Sequence, residues 1–92
     1  MIRSFRHKGL RRFFEDDDKS KLPSEMVERI RTILTFLDGA GQVQDMSQPT
    51  FKLHGLKGEL KGFWTVTVRA NWRIIFRFED GDAFDLDFVD YH

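Results

Sequence analysis

Hydrophobic and polar residues alternate with a period of two over Phe63–Phe78. This pattern predicts two antiparallel strands, Phe63–Arg69 and Trp72–Phe78, joined by a tight connection at Ala70-Asn71. One face of the predicted hairpin is apolar, so the rest of the chain must cover it. That face consists of Trp64, Val66, Val68, Trp72, Ile74, Phe76 and Phe78.

The opposite face of the hairpin carries Arg69, Arg73 and Arg77 between Thr65, Thr67 and Ile75. Three arginines are more positive charge than a solvated strand face requires. We therefore predict that this face holds an anion, and that the segment Asp90-Tyr91-His92 lies beside it.

Apolar residues at helical spacing predict two helices before the hairpin. The first covers Lys8–Glu15, and Pro23 suits the first turn of the second. The second helix ends near Gly39, a residue suited to a left-handed cap. Its outer face offers two ion pairs, Glu25–Arg29 and Glu28–Arg31. Its inner stripe, which we expect to cover the apolar sheet face, consists of Met26, Ile30, Ile33, Leu34 and Leu37.

Shorter alternating stretches predict the remaining strands. Met1–Phe5 is one, and Phe51–His54 is another whose alternation places Lys52 and His54 on the arginine face. Asp80-Gly81 predicts a tight turn before a last strand containing Phe84, Leu86 and Phe88. The expected fold is α+β, with two N-terminal helices packed on one face of a mainly antiparallel sheet.

The composition fits one small domain over residues 1–92. Ten phenylalanines and 40% hydrophobic residues suffice for one core. The chain has no cysteine, no apolar run long enough for a membrane span and no signal-peptide pattern at its start, so we expect a cytoplasmic setting.

Charge is segregated along the chain although the formal net charge is zero. Residues 1–12 carry five cations and no acid, and residues 52–77 carry six cations against Glu59 alone. Residues 78–92 carry six acids and no lysine or arginine. Such a dipole can steer one face towards a phosphate backbone, whereas ordinary solvated faces are an equally good interpretation.

Candidate chemistry begins with His54 and His92, because two imidazoles facing a phosphate can supply both proton transfers of a transesterification. Spacing alone favours a plainer interpretation, in which both are exposed residues without a role. A zinc site made by His54, Asp90 and His92 is the rival chemistry, but no zinc-ligand spacing is present. The run Asp16-Asp17-Asp18 is typical of a solvated turn rather than of a metal site.

Four stretches of sequence identify a protein family more specifically than these patterns do. They are Lys8-Gly9-Leu10, the run from Lys52 to Gly58, the run from Gly62 to Ile74, and Asp90-Tyr91-His92. Over nearly the whole length they resemble the HigB toxins of the RelE/ParE superfamily of type II toxin–antitoxin systems. That resemblance implies a RelE-like fold with a curved sheet, as the patterns also predict.

The resemblance further implies ribosome-dependent cleavage of mRNA with neither metal nor cofactor. The positions matching the family's catalytic residues are His54, Asp90, Tyr91 and His92. The positions matching its RNA-facing surface are Lys57, Arg69, Asn71 and Arg73. Two positions depart from the family pattern: Gly55 stands where proline is common, which loosens the backbone beside His54, and Phe63 stands where tyrosine is common.

The implied partners are a HigA-type helix-turn-helix antitoxin, the ribosome at its decoding site, and mRNA. No segment predicts a DNA-recognition helix, so operator DNA would be bound only through the antitoxin complex. Two alternatives stay open. ParE-type relatives share the fold and poison DNA gyrase without cutting RNA, and a plain binding module would have no toxicity.

Overall fold

The alternating stretches build a four-stranded antiparallel sheet in order β1-β2-β3-β4 within residues 1–90, which are the residues that this computed structural model describes. Tyr91 and His92 lie outside the described residues. Both hairpins predicted from the sequence are present. The strands are β1 His54–Gly55, β2 Phe63–Arg69, β3 Trp72–Glu79 and β4 Asp82–Asp90. The strand predicted over Phe51–His54 is wrong in its bounds, since only His54 and Gly55 pair with β2.

The predicted N-terminal strand is reduced to two isolated parallel bridges against β4, Ile2 with Ala83 and Phe5 with Leu86. Backbone hydrogen bonds hold this segment, including one of 2.7 Å from the Arg3 N–H to the Ala83 carbonyl. The segment therefore covers the outer edge of β4, and the sheet is mainly antiparallel as expected.

Helix α1 spans Lys8–Asp16, one residue longer than predicted. His7 caps its start, because the imidazole Nδ1 accepts the Leu10 N–H at 3.1 Å. Asp17 ends the helix in the left-handed conformation at φ 54°. The acidic run is thus a helix end and turn, as the sequence indicates.

Helix α2 spans Val27–Gly39 and follows a 3-10 turn at Ser24–Met26 that begins after Pro23. The predicted stripe is buried and forms the core together with the apolar sheet face. The left-handed cap predicted at Gly39 is wrong, since Gly39 is the last helical residue and the next residue, Ala40, has an extended backbone. No membrane-spanning helix occurs in the part of the chain that the structure describes.

One of the two predicted ion pairs on α2 is present. Arg31 contacts Glu28 at 3.4 Å, whereas the pair predicted between Glu25 and Arg29 is wrong. Arg29 instead turns towards the sheet and donates hydrogen bonds to backbone oxygens, including that of Thr50 at 2.7 Å. Backbone oxygens that lack strand partners compete better for a guanidinium than an exposed carboxylate does.

The face opposite the helices is only partly open. Phe63, Thr65 and Ile75 on that face are buried, and the guanidinium of Arg6 lies over the Phe63 ring at 5.1 Å. The N-terminal segment therefore shields part of the face on which we expected a continuous arginine surface. What stays exposed lies at the β1 edge and at the β2–β3 turn.

Candidate functional site

His54 lies on the sheet edge in β1, directly opposite Thr65 of β2. Its side chain is exposed, and its Nδ1 lies 3.3 Å from the carbonyl oxygen of Lys52. A carbonyl can only accept, so this contact is a hydrogen bond when Nδ1 carries the proton. In that tautomer, Nε2 carries the lone pair of the neutral ring and can accept a proton.

Gly55 follows His54 without demanding a special backbone. A Cβ built there would meet the Trp64 ring at 3.8 Å, an ordinary van der Waals contact. Packing therefore does not explain glycine at this position. The other departure is Phe63, which is buried under Arg6. The tyrosine hydroxyl that is common in the family would therefore lie in a covered position here, not at the exposed edge.

The β2–β3 turn carries Arg69, Asn71 and Arg73 at one end of the sheet. Arg69 and Asn71 are exposed, and Ala70 between them is left-handed at φ 51°. Arg73 folds back on the turn and donates to the carbonyls of Ala70 and Trp72. Neither arginine forms an ion pair with a carboxylate of residues 1–90.

Asp90 ends β4 at the same end of the sheet, opposite Trp72. Val89 is the residue opposite Arg73, so Asp90 shares a face with Trp72 and Phe88, whose rings stack at 4.7 Å. The structure thus brings Asp90 to the end of the sheet that holds the β2–β3 turn, but on the apolar face. The prediction that Asp90 lies beside the arginine face is therefore wrong, since Arg73 is on the opposite face. The predicted Tyr91 and His92 lie outside the described residues.

Lys57 is exposed beside His54, at the start of a 3-10 turn over Gly58–Leu60. A backbone hydrogen bond of 2.9 Å from the Leu56 N–H to the Phe63 carbonyl ties this segment to β2. Two further lysines are exposed, Lys52 just before β1 and Lys61 just before β2. The β1 edge therefore presents an imidazole within a set of cations.

These residues form two groups on one sheet, His54 and Lys57 at the β1 edge and the others at the turn. His54 is opposite Thr65 of β2, and Arg73 is opposite Thr67, two residues further along β2. Two residues along a strand and two strands across separate His54 from Arg73 by about 12 Å. That is a backbone separation, and the arginine and histidine side chains can close most of it, so one phosphate of a bound RNA can lie between them.

Arg77 does not belong to this site, although the alternation placed it with the other arginines. Its Nε donates to Asp85 at 2.9 Å, its Nη1 donates to Glu79 at 2.9 Å, and its guanidinium lies over Phe84. The hydrogen bond to Asp85 is the main reason that the pKa of Arg77 is raised. The expectation of three free arginines is therefore wrong at this one.

Thr65 is a buried neighbour of His54 that sequence reasoning did not single out. It is buried, directly opposite His54, and its Oγ1 has no hydrogen-bond partner among the described residues. The only signal in the sequence was a threonine in the middle of a strand, which is common.

Within residues 1–90, no three histidines, cysteines or acids are grouped closely enough to hold a metal ion. One predicted ligand of the rival zinc site, His92, lies outside the described residues. The other two, His54 and Asp90, lie on different strands at opposite sides of the sheet.

Comparison with known proteins places the chain in a family. The family described as the RelE-like toxin of the type II toxin–antitoxin system HigB matches residues 3–92. The chain belongs to the HigB-like toxins. Endoribonuclease HigB of Proteus vulgaris is 47% identical over all of both chains, and toxin HigB-1 of Vibrio cholerae is 33% identical over all of this chain and 98% of its own.

Solved structures extend the likeness of this HigB-like toxin to the RelE fold. A YoeB–YefM toxin–antitoxin complex of Staphylococcus aureus matches with a TM-score of 0.63 at 19% identity, covering 100% of this chain and 95% of the other. A point mutant of YafQ from Escherichia coli matches with a TM-score of 0.65 at 16% identity, covering 98% of this chain and 91% of the other. At such identities the likeness concerns the fold.

Proposed function

We propose that this HigB-like toxin is a ribosome-dependent endoribonuclease that cuts translated mRNA without a metal and so stops protein synthesis. The observation that carries the proposal is the 47% identity, over both whole chains, with a protein named Endoribonuclease HigB. The exposed imidazole of His54 amid the lysines of the β1 edge supports it, because RNA cleavage needs proton transfer and charge stabilisation at a phosphate.

In the proposed reaction the RNA supplies its own nucleophile, the 2′-hydroxyl. His54 or Asp90 accepts the 2′-hydroxyl proton as the oxygen attacks phosphorus, and His92 donates a proton to the departing 5′-oxygen. One P–O bond forms and one breaks, which gives a 2′,3′-cyclic phosphate and a 5′-hydroxyl. With Nδ1 protonated, the Nε2 of His54 can accept the 2′-hydroxyl proton.

Charge that develops on the phosphorane is stabilised by Arg73 and Lys57 in this proposal, while Arg69 and Asn71 hold the flanking backbone. Lys57, Arg69 and Asn71 are exposed, and Arg73 is half-buried. Tyr91 stacks on a splayed base or orients it.

The ribosome presents the substrate, because a protein without net positive charge has little affinity for naked RNA. In the segment between Arg3 and Arg12, Arg3 pairs with Asp82 at 3.2 Å and Arg6 covers Phe63. Those contacts leave the cations of α1 for ribosomal RNA: Lys8, Arg11 and Arg12.

The proposed partner in the cell is a HigA-type antitoxin with a helix-turn-helix, which binds both the toxin and operator DNA. Membership in a toxin–antitoxin family supports an antitoxin partner, and the related YoeB is described in a complex with YefM. The setting of toxin, antitoxin and ribosome is the cytoplasm.

The decisive test combines the purified chain with ribosomes translating a defined mRNA and maps the breaks by primer extension. We expect breaks in phase with codons, a cyclic or 3′-phosphate at the upstream end, no cutting of the same RNA without ribosomes, and no effect of a zinc-selective chelator. Intact mRNA together with broken DNA in arrested cells would instead favour the gyrase poison.

A further inference from the structure

Arg29 forms an unusual set of contacts for a residue on the outer part of a helix. Its Nε donates to the Val68 carbonyl at 3.3 Å, and its Nη2 donates to the Thr67 carbonyl at 3.1 Å. The same guanidinium donates to Thr50 twice, to Oγ1 at 3.0 Å and to the carbonyl at 2.7 Å. It also lies over the Phe51 ring at 4.9 Å.

The β2 carbonyls that Arg29 reaches lie at a bulge. Thr67 is opposite Arg73, and the register then shifts so that Val68 is an extra residue before the turn. A bulge interrupts the ladder and leaves backbone groups that need partners from elsewhere. Arg29 supplies donors to those carbonyls, so it stabilises the bulge from which the β2–β3 turn projects.

The remaining contacts hold the segment that leads into β1. Thr50 is bound through two oxygens, and the carbonyl of Phe51 accepts the Thr67 N–H at 2.7 Å. His54 follows three residues after Phe51. The guanidinium of Arg29 therefore joins two segments: the one before β1, which leads to His54, and the end of β2, which leads through the turn to Arg73.

We infer that Arg29 is a positioning residue, which fixes the separation between His54 at the β1 edge and the cations of the β2–β3 turn. This inference rests on the proposed function. Arg29 directs its donors to oxygens of the protein itself, so it acts through the two segments that it joins rather than on RNA.

Lysine cannot replace Arg29 in this role. A guanidinium presents five donors in a fixed fork, whereas an ammonium is a single point with three donors. Lysine at position 29 keeps the charge and the aliphatic stem but cannot reach Thr50 and the bulge carbonyls together. Arg31 is the matched control because it is on the same helix and pairs at the surface with Asp17 and Glu28.

The experiment compares Arg29→Lys with Arg31→Lys. The chain has no cysteine, so Lys52→Cys and Ala70→Cys introduce two unique sites for spin labels, one on each segment. Electron–electron distance measurements on the labelled chain report the separation of the segments without any substrate. Cleavage of ribosome-bound mRNA by the unlabelled chain gives kcat and KM, and thermal unfolding shows that both variants are folded.

For Arg29→Lys we expect a broadened distance distribution and at least a tenfold loss of kcat, with KM changed less than twofold. Arg31→Lys should match the parent chain in every measurement. An unchanged distance distribution or an unchanged kcat in folded Arg29→Lys would overturn the inference. If the parent chain cuts no mRNA, the proposed nuclease function fails, while the distance measurement still decides whether Arg29 sets the separation.

Discussion

The two ends of the sheet use arginine in opposite ways. At the β3–β4 turn, Arg77 pairs with Asp85 and Glu79, each at 2.9 Å, and Arg3 pairs with Asp82 at 3.2 Å. Both of these arginines therefore have carboxylate partners. The charges join β3, β4 and the N-terminal segment to one another.

At the β2–β3 turn, Arg69 and Arg73 have no carboxylate partner within residues 1–90, where Arg73 donates to carbonyls of its own turn. A neutralised guanidinium offers a phosphate little, whereas an unneutralised one is available to it. The surroundings of an arginine, rather than its place in the alternation, therefore separate a structural role from a role in binding. We expect changes at the β3–β4 end to affect stability and changes at the other end to affect activity.

The largest expected effect is the loss of cleavage in His54→Ala. Removal of a general acid or base reduces rates by about 10²–10⁴-fold, and the exposed side chain should leave thermal stability unchanged. Single-turnover cleavage of ribosome-bound mRNA measures the rate, and calorimetry measures the melting temperature.

The control for His54 is His7→Ala. This change removes the cap of α1, so it should cost about 1 kcal/mol of unfolding free energy while cleavage continues. Full activity in His54→Ala would remove His54 from the mechanism.

A smaller loss of activity is expected in Arg73→Met, because one cation opposite the developing charge is removed while the sheet is kept. The loss of one such donor costs about 10²-fold in rate, and hydrogen bonds to exposed turn carbonyls add little stability. Cleavage rates as a function of salt are the measurement. Equal activity in parent and variant would mean that the β2–β3 turn does not face the phosphate.

The matched change at the other end, Arg77→Met, should reverse the pattern. The pairs with Asp85 and Glu79 are partly exposed, so solvent screens them and their loss lowers stability only modestly. We expect a melting temperature lower by a few degrees, less so at high salt, and a cleavage rate within twofold of the parent. A large loss of cleavage without loss of stability would contradict the structural role that we assign to Arg77.

The smallest expected effect is that of Ala70→Gly in the β2–β3 turn, for which Gly81→Ala in the β3–β4 turn is the matched comparison. Gly81 has φ 82° and Ala70 has φ 51°, both in the left-handed region. Gly81→Ala should therefore lower the unfolding free energy by about 1 kcal/mol, whereas Ala70→Gly should be close to neutral because relief of strain offsets added chain entropy. Urea unfolding measures both, and equal losses in the two variants would contradict this reasoning.

Most of the fold could be predicted from local patterns, and the errors fall where distant residues meet. The hairpin over Phe63–Phe78 and the buried stripe of α2 are confirmed because side-chain period alone specifies them. The cap at Gly39 and the pair Glu25–Arg29 were wrong because each was inferred from neighbours in sequence. The candidate site came mainly from family resemblance, since an exposed histidine such as His54 has no periodic signature.

Residue order alone specified β2, β3, β4, the two helices and the family, because these depend on local composition and on periodicities of two and 3.6. Which arginines are structural depends instead on the assembled fold. Arg77 meets Asp85 across a hairpin with a shifted register, and Arg29 meets Thr50 and the β2 bulge through contacts over 21 and 39 residues. Such pairings follow from how the sheet is assembled, and no local pattern encodes them.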